Sequence, residues 1–311
     1  MKELRRALSH PGREPRAGNG REARSIAAIE GPNLLQEALR AGLLVPCVFV
    51  AQGSERLLEG LPLPAGTEVL CLPTELLDSA LSTETPQPIA ALVEPPEWNW
   101  ADILDAQPKS APLLLVLAGL QDPGNLGTIL RSAEAFGATG ILSLPGTVSA
   151  WNPKAVRASA GSLFRLPLLS VTVEDCFAHL RQAGVQLWTT AVNGAKPAGS
   201  AVLAGPVAVM IGNEGNGVPA ELAAQADGAL TIPCPGAVES LNAAIAASIL
   251  LYEASSQRAK KESLTKLRPK HQTANSPTRD SREAGANSPP LSRSTTAQSA
   301  MAHEEATNEP L

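Results

Sequence analysis

Aromatic residues make up only 3% of this 311-residue chain, against 44% hydrophobic residues overall. Its cores must therefore be filled by alanine and aliphatic side chains. Histidine is equally scarce. His10, His271 and His303 fall in terminal segments and His179 in a helical stretch away from the glycine-rich loops, which speaks against chemistry built on a histidine base. The four cysteines, Cys47, Cys71, Cys176 and Cys234, are far apart and lack metal-ligand spacing. They are expected to be buried, reduced thiols, with neither a disulfide frame nor a structural metal. No apolar run reaches the roughly 18 residues of a membrane helix, and Met1 to Arg24 is basic and polar without a signal-peptide core. A cytoplasmic protein with no membrane partner is the expectation. A net charge of −5 argues against nucleic-acid binding over the whole surface and leaves room for a local basic patch.

What is present falls into segments. Residues 1–24 carry six arginines among Gly and Pro and read as a flexible basic arm. Over 25–95, short apolar runs (Ile26–Ile29, Val48–Val50, Val69–Leu72, Ile89–Val93) alternate with helical stretches such as Asn33–Ala41, which predicts a small α/β domain. Residues 96–110 lie in a proline-flanked stretch of little periodicity and read as a linker. A second α/β domain follows over 111–257. Residues 258–311, rich in Ser, Thr, Pro and mixed charge, predict a disordered tail.

Three stretches of the second domain carry chemistry. "LLLVLAGLQDPGNLGTILRSAEAFG", 113–137, predicts a buried strand, a turn, and a helix from about Asn125 to Gly137. Asn125 and Arg131 then share one helix, about 9 Å of rise apart, past the carboxyl end of a strand, where open α/β sheets bind ligands. Asn125 could equally be a helix cap and Arg131 a solvated residue. "VAVMIGNEGNGV", 207–218, runs a strand into a loop whose glycines free backbone N–H groups for a ligand. A dinucleotide-binding oxidoreductase is disfavoured, because the spacing is Gly-x-x-Gly-x-Gly and Glu214 would repel phosphate. "LTIPCPGAVESLNAAIAASILLYEA", 230–254, gives a strand, a tight turn and the last helix, with Ser240 and Asn242 at its mouth. On that stretch alone, capping is the favoured explanation of those two residues.

Taken together, the three stretches resemble the motifs of the SpoU (TrmH) family of SPOUT RNA ribose methyltransferases: an Asn…Arg helix, an Ile-Gly-x-Glu-x-x-Gly loop and an Ile-Pro-Met-x-Gly…Ser-Leu-Asn turn. "NPKAVRASAGSLFRLPL" at 152–168 is similar to the family's connecting segment. "IEGPNLLQEALRAG" and "LSTETPQPIAALV" look like the RNA-binding domain fused ahead of many of its members. Two positions depart from the pattern: Cys234 stands where Met is usual, and Ala243–Ala244 where Val-Ser is common. A Met-to-Cys change keeps a polarizable apolar side chain, and neither departure touches the candidate catalytic residues.

The resemblance implies a small amino-terminal α/β RNA-binding domain ahead of an α/β SPOUT domain with a deep trefoil knot. It also implies S-adenosyl-L-methionine as cofactor, a homodimer, and transfer of a methyl group to a ribose 2′-hydroxyl of RNA. Large-subunit (23S-type) ribosomal RNA is the implied target; tRNA, or a non-catalytic RNA-binding protein of the same fold, is the alternative. Catalytic roles carry over onto Asn125, Arg131, Glu214, Ser240 and Asn242, and cofactor binding onto Thr190, Ala191, Gly212, Ile232 and Leu241. Arg131 fits an electrostatic stabiliser and phosphate anchor better than a base, since a guanidinium is very hard to deprotonate. The dimer face is expected on the last helix, at Leu241, Ile245, Ile249 and Tyr252.

Overall fold

Short apolar runs bounded by Gly and Pro become strands, and the longer 3.6-periodic stretches become helices. The computed structural model describes residues 1–9, 25–81, 83–105, 111–192, 194–238 and 240–267. In chain order the amino-terminal part gives α1 (Lys2–Ser9), β1 (Ala27–Glu30), α2 (Pro32–Arg40), β2 (Cys47–Ala51), β3 (Glu68–Leu72), α3 (Thr74–Asp78) and β4 (Ile89–Val93). Its sheet has the order β1-β4-β2-β3; β4 is antiparallel to both neighbours, and β2 is parallel to β3. Helix α2 starts with Pro32 at its first turn, where the missing N–H costs nothing, and the chain turns away at Gly42, whose φ of 75° suits glycine.

The arginine-rich start differs from the flexible arm that its composition suggests. Residues 2–9 form helix α1, which buries Leu4 and Ala7 in a cluster with Phe49, Leu77 and Leu92, while Arg5 donates to Ser79 Oγ at 3.0 Å. Residues 10–24 lie outside the described residues. The expected linker likewise contains a helix, α4 (Trp100–Leu104). Asn99 and Asp102 form a reciprocal capping box at its start, and Ile103 is buried beside Leu142 and Cys176.

The second sheet is built from β5 (Leu113–Ala118), α5 (Pro123–Ala135), β6 (Gly140–Ser143), α6 (Pro153–Ser159), β7 (Leu168–Ser170), α7 (Val173–Gln182), β8 (Gln186–Thr190), β9 (Lys196–Pro197), β10 (Val207–Gly212), α8 (Ala220–Ala223), β11 (Gly228–Thr231) and α9 (Ala243–Leu267). Its strand order is β7-β6-β5-β10-β8-β11-β9, with every pair parallel. β5 and β10 are buried at every residue, which is why they read as unbroken apolar runs. From β5 the chain moves outward through β6 and β7, then returns to β8 on the other side, and β10 later fills the place between. The order reverses at β5 and β10, so a crevice is expected beyond their carboxyl ends. Helix α6 packs closely on α5 because Gly127 has no side chain: a Cβ there would stand 2.5 Å from Ala155 O.

Helix α9 continues for ten residues past Gln257, where the sequence suggests a disordered tail. Arg258 holds the continuation: its guanidinium donates to the carbonyls of Pro112 at 2.8 Å, Gly205 at 2.6 Å, Leu203 at 3.4 Å, and Ala111. The rest of the expected tail, 268–311, lies outside the described residues. All four cysteines are free, but only Cys47 and Cys176 are buried; Cys71 and Cys234 are exposed, against expectation. Burial pushes the Cys176 thiol up to about 12 and that of Cys47 to about 11.

Candidate active site

The turn between β5 and α5 is set by Asp122, not by Asn125. Asp122 caps the helix by accepting from the N–H groups of Gly124 and Asn125, Pro123 takes the first helical position, and Lys154 Nζ at the start of α6 pairs with Asp122 at 3.3 Å. The N–H of Asn125, followed by the other contacts, holds the Asp122 carboxyl below its ordinary range. With the capping done by Asp122, the side chain of Asn125 is free for other work.

That work links the three sequence stretches. Glu214, in the loop after β10, accepts from the backbone N–H of Gln121 at 3.1 Å and of Asp122 at 3.0 Å, and from Asn125 Nδ2 at 3.0 Å. Burial pushes the Glu214 carboxyl up, and the hydrogen bonds from Asn125, Asp122 and Gln121 outweigh it, leaving the group below its usual value. Asn125 Oδ1 in turn accepts from Asn242 Nδ2 at 2.9 Å. Asn242 Oδ1 caps α9 by accepting from the N–H of Ala244 at 2.9 Å and of Ile245 at 3.2 Å. Asn242 is thus both the cap of its helix and a member of the cluster; the two readings are compatible.

Ser240 and Arg131 sit apart from this chain of bonds. Both are exposed, and neither side chain has a hydrogen bond or ion pair among the described residues. Sequence reasoning missed Gln121, Asp122 and Lys154; the Asp-Pro-Gly-Asn run carries the cap signature that marks Asp122.

The loop after β10 is held by its own hydrogen bonds. Asn213 and Gly217 form a bridge, Asn213 Oδ1 accepts from the N–H groups of Gly215 and Asn216, and Asn213 Nδ2 reaches Gly119 O at 3.0 Å. Gly212 has no room for a side chain, since a Cβ would lie 2.0 Å from the carbonyl carbon of Gly217. Its hydrogen therefore faces the loop's own backbone, and that contact explains the glycine without a ligand.

Thr190, Gly212 and Ile232 lie at or just beyond the carboxyl ends of β8, β10 and β11. Thr190 Oγ1 donates to Met210 O, and the Ala191 N–H to Leu230 O, each at 3.0 Å, so both donors tie strands together. Around these ends Val192 and Val238 are exposed and Ile232 and Leu241 half-buried. The Thr189 hydroxyl is buried with no partner among the described residues. Apolar surface at the strand ends and the unpartnered Thr189 hydroxyl fit a cofactor that joins a nucleoside to a sulfonium cation. Among the described residues no group of three His, Cys, Asp or Glu is placed to hold a metal ion, and no helix is long and apolar enough to cross a membrane.

Residues 112–252 match the model of the SpoU rRNA Methylase family. The chain is 34% identical over 226 residues to the 23S rRNA (guanosine(2553)-2′-O)-methyltransferase RlmP of Bacillus subtilis (strain 168), covering 72% of this chain and 86% of that protein. Among solved structures, the SpoU methyltransferase AviRb of Streptomyces viridochromogenes, in complex with AdoMet, is similar with a TM-score of 0.69 and 28% identity, over 83% of this chain and 97% of that one. An AdoMet-bound rRNA methyltransferase from Sinorhizobium meliloti is similar with a TM-score of 0.65 and 31% identity, over 74% and 87%.

Proposed function

The chain belongs to the SpoU rRNA methylase family, and from that premise we propose that it methylates a ribose 2′-hydroxyl of large-subunit ribosomal RNA in the cytoplasm. The observation that carries the reading is the hydrogen-bonded chain Glu214–Asn125–Asn242, which joins all three motif stretches beyond the carboxyl ends of the sheet. S-adenosylmethionine supplies an activated methyl group when bound, held by Thr190, Ala191, Gly212, Ile232 and Leu241. The protein's own task is then to align the acceptor oxygen and to stabilise its negative charge.

Arg131 is the group for the charge. It lies on α5 with Asn125 and is exposed, its side chain without a partner among the described residues, so its guanidinium can meet an RNA phosphate and the oxygen that is losing its proton. Glu214 does not act on substrate in this scheme; it fixes the turn and the amide of Asn125. Asn125, Asn242 and Ser240 position the ribose and the turn. The trefoil threading implied by the resemblance is assigned to the stretch spanning the second and third motifs.

The protein is proposed to work as a homodimer through α9, where Ile245, Ile249 and Tyr252 are 53%, 38% and 59% exposed at positions of one helical face. Leu241 precedes that helix and is half-buried. Light scattering at micromolar concentration is expected to give the mass of two chains, and a monomer overturns the dimer. Purified protein with tritiated S-adenosylmethionine should label 23S rRNA on a ribose, and mapping 2′-O-methyl positions in a deletion strain should show one lost. Labelling of tRNA instead would move the target, and label on a base would overturn the reaction.

A further inference from the structure

A cavity of about 510 Å³ lies away from the Glu214–Asn125–Asn242 cluster, at the meeting of the amino-terminal sheet with α6. Its volume is within the roughly 300–1,000 Å³ range of small-molecule sites. Three separate segments line it: Glu30 and Asn33 at the β1–α2 turn, Thr85 and Gln87 in the approach to β4, and Arg157 with Ala160 on and just after α6.

The cavity has an incompletely used polar pair. The Glu30 side chain is only 4% exposed, and its two oxygens are not equally occupied. Oε1 accepts from Thr83 Oγ1 at 2.7 Å and from the Gln87 N–H at 2.9 Å. Oε2 faces Arg157 Nη1 at 3.6 Å, too long for a hydrogen bond. Arg157 is 39% exposed and has further N–H groups to give. A buried acceptor beside an open donor suits a planar group that offers a donor and an acceptor side by side, as the edge of a nucleobase does. The other carboxylate of the cavity, Glu37, is neutralised by Arg40 at 2.8 Å and Arg165 at 2.6 Å, so the wall does not repel a polyanion.

Helix α6 links the cavity to the candidate active site. Ala160 is the one non-glycine residue with left-handed φ among the described residues, at 50°. It is the left-handed cap that ends α6, and it brings the helix terminus to the cavity wall. Helix α6 also runs from one site to the other: Lys154 at its start pairs with Asp122, and Arg157 and Ala160 at its end line the cavity. Lys154 to Ala160 is about 9 Å of helical rise, the length of a few stacked nucleotides at roughly 3.4 Å each.

We propose that this cavity is a second RNA subsite that takes an unpaired nucleobase of the substrate, which donates to Glu30 and accepts from Arg157, with Asn33, Thr85 and Gln87 at the rim. The proposal rests on the RNA-methylating reading above. Its test uses the full chain and 23S rRNA transcribed with 4-thiouridine or 6-thioguanosine. On irradiation, cross-links should map to peptides containing Asn33 or Thr85–Gln87, and Asn33→Trp, an exposed substitution that fills the mouth, should abolish them. Asn33→Trp and Arg157→Met should each raise KM for RNA about tenfold or more, with kcat at saturating RNA and affinity for S-adenosylmethionine kept. Absence of cross-links in those peptides, or wild-type RNA binding by both variants, overturns the subsite. A wild-type protein that methylates RNA without cross-linking there refutes the subsite alone. One that cross-links there and binds S-adenosylmethionine yet methylates no RNA refutes the reaction and leaves the subsite.

Discussion

Asn242 Nδ2 donates to Asn125 Oδ1 at 2.9 Å, a side-chain bond between residues 117 positions apart. The same amide of Asn242 caps α9 through its oxygen, so one side chain does two separable things. Asn242→Asp keeps the cap, because aspartate is as good an N-cap as asparagine, but sets an acceptor against the Asn125 oxygen. The variant should melt within about 1 kcal/mol of wild type while methyl transfer falls sharply. Equal loss of both, by calorimetry and tritium transfer, would mean that the bond serves folding alone.

Gly212 and Gly215 lie in the same loop and should respond differently to alanine. At Gly212 the added carbon meets Gly217 and Val218 backbone at 2.0–2.3 Å; at Gly215 its nearest neighbour is Asn213 Oδ1 at 3.4 Å. Gly212→Ala should cost about 1–3 kcal/mol of stability and weaken S-adenosylmethionine binding as the loop shifts. Gly215→Ala should leave the melting temperature nearly unchanged. Calorimetry and cofactor titration on the two variants check this.

Arg131→Ala removes an exposed side chain with no partner among the described residues, so stability and cofactor affinity should stay as they are. Methyl transfer should drop by roughly 10²–10³-fold, as on removal of an oxyanion-stabilising donor. A wild-type single-turnover rate would return Arg131 to the status of a solvated surface residue.

Glu214 ties acid stability to the site. Its carboxyl sits below the ordinary value in the folded chain, so the folded state favours the ionised form. That contribution is complete above the unfolded value, about 4.3, and disappears as pH falls through the lower folded value. The difference in melting temperature between wild type and Glu214→Gln should therefore be constant from pH 8 to about pH 5 and shrink below it. A difference that grows on acidification would contradict the direction.

Arg258→Ala should destabilise the fold by about 2–3 kcal/mol, the order of hydrogen bonds made by a charged group. Four carbonyls, from Ala111, Pro112, Leu203 and Gly205, lose their common donor. Chemical denaturation measures the loss, and an unchanged midpoint would show that water replaces the guanidinium.

The motif residues were legible because their signal is local: a glycine-rich loop after an apolar run, an amide at a helix mouth. Their bonds to one another were not, since Asn125, Glu214 and Asn242 meet only through the strand order, which no local pattern encodes. Helix α1 was hidden by its arginines, which mask the short Leu4 and Ala7 face. The end of α9 was missed because its apolar stripe fades while good helix formers continue, and because a charged residue, Arg258, is what anchors it. The cavity gave no pattern at all, its polar residues arriving from three segments.

The place of β10 between β5 and β8 bears on how the protein is made. At roughly 5–20 residues per second of synthesis, β10 leaves the ribosome about 5–20 s after β5. During that interval β5 has β6 to pair with on one side and nothing on the other, and the open side is the run Leu113–Ala118, apolar throughout. An unpaired apolar edge is a template for other chains. The nascent protein is thus most exposed to misassembly in the wait for β10, and slowing translation between β8 and β10 would lengthen that exposure.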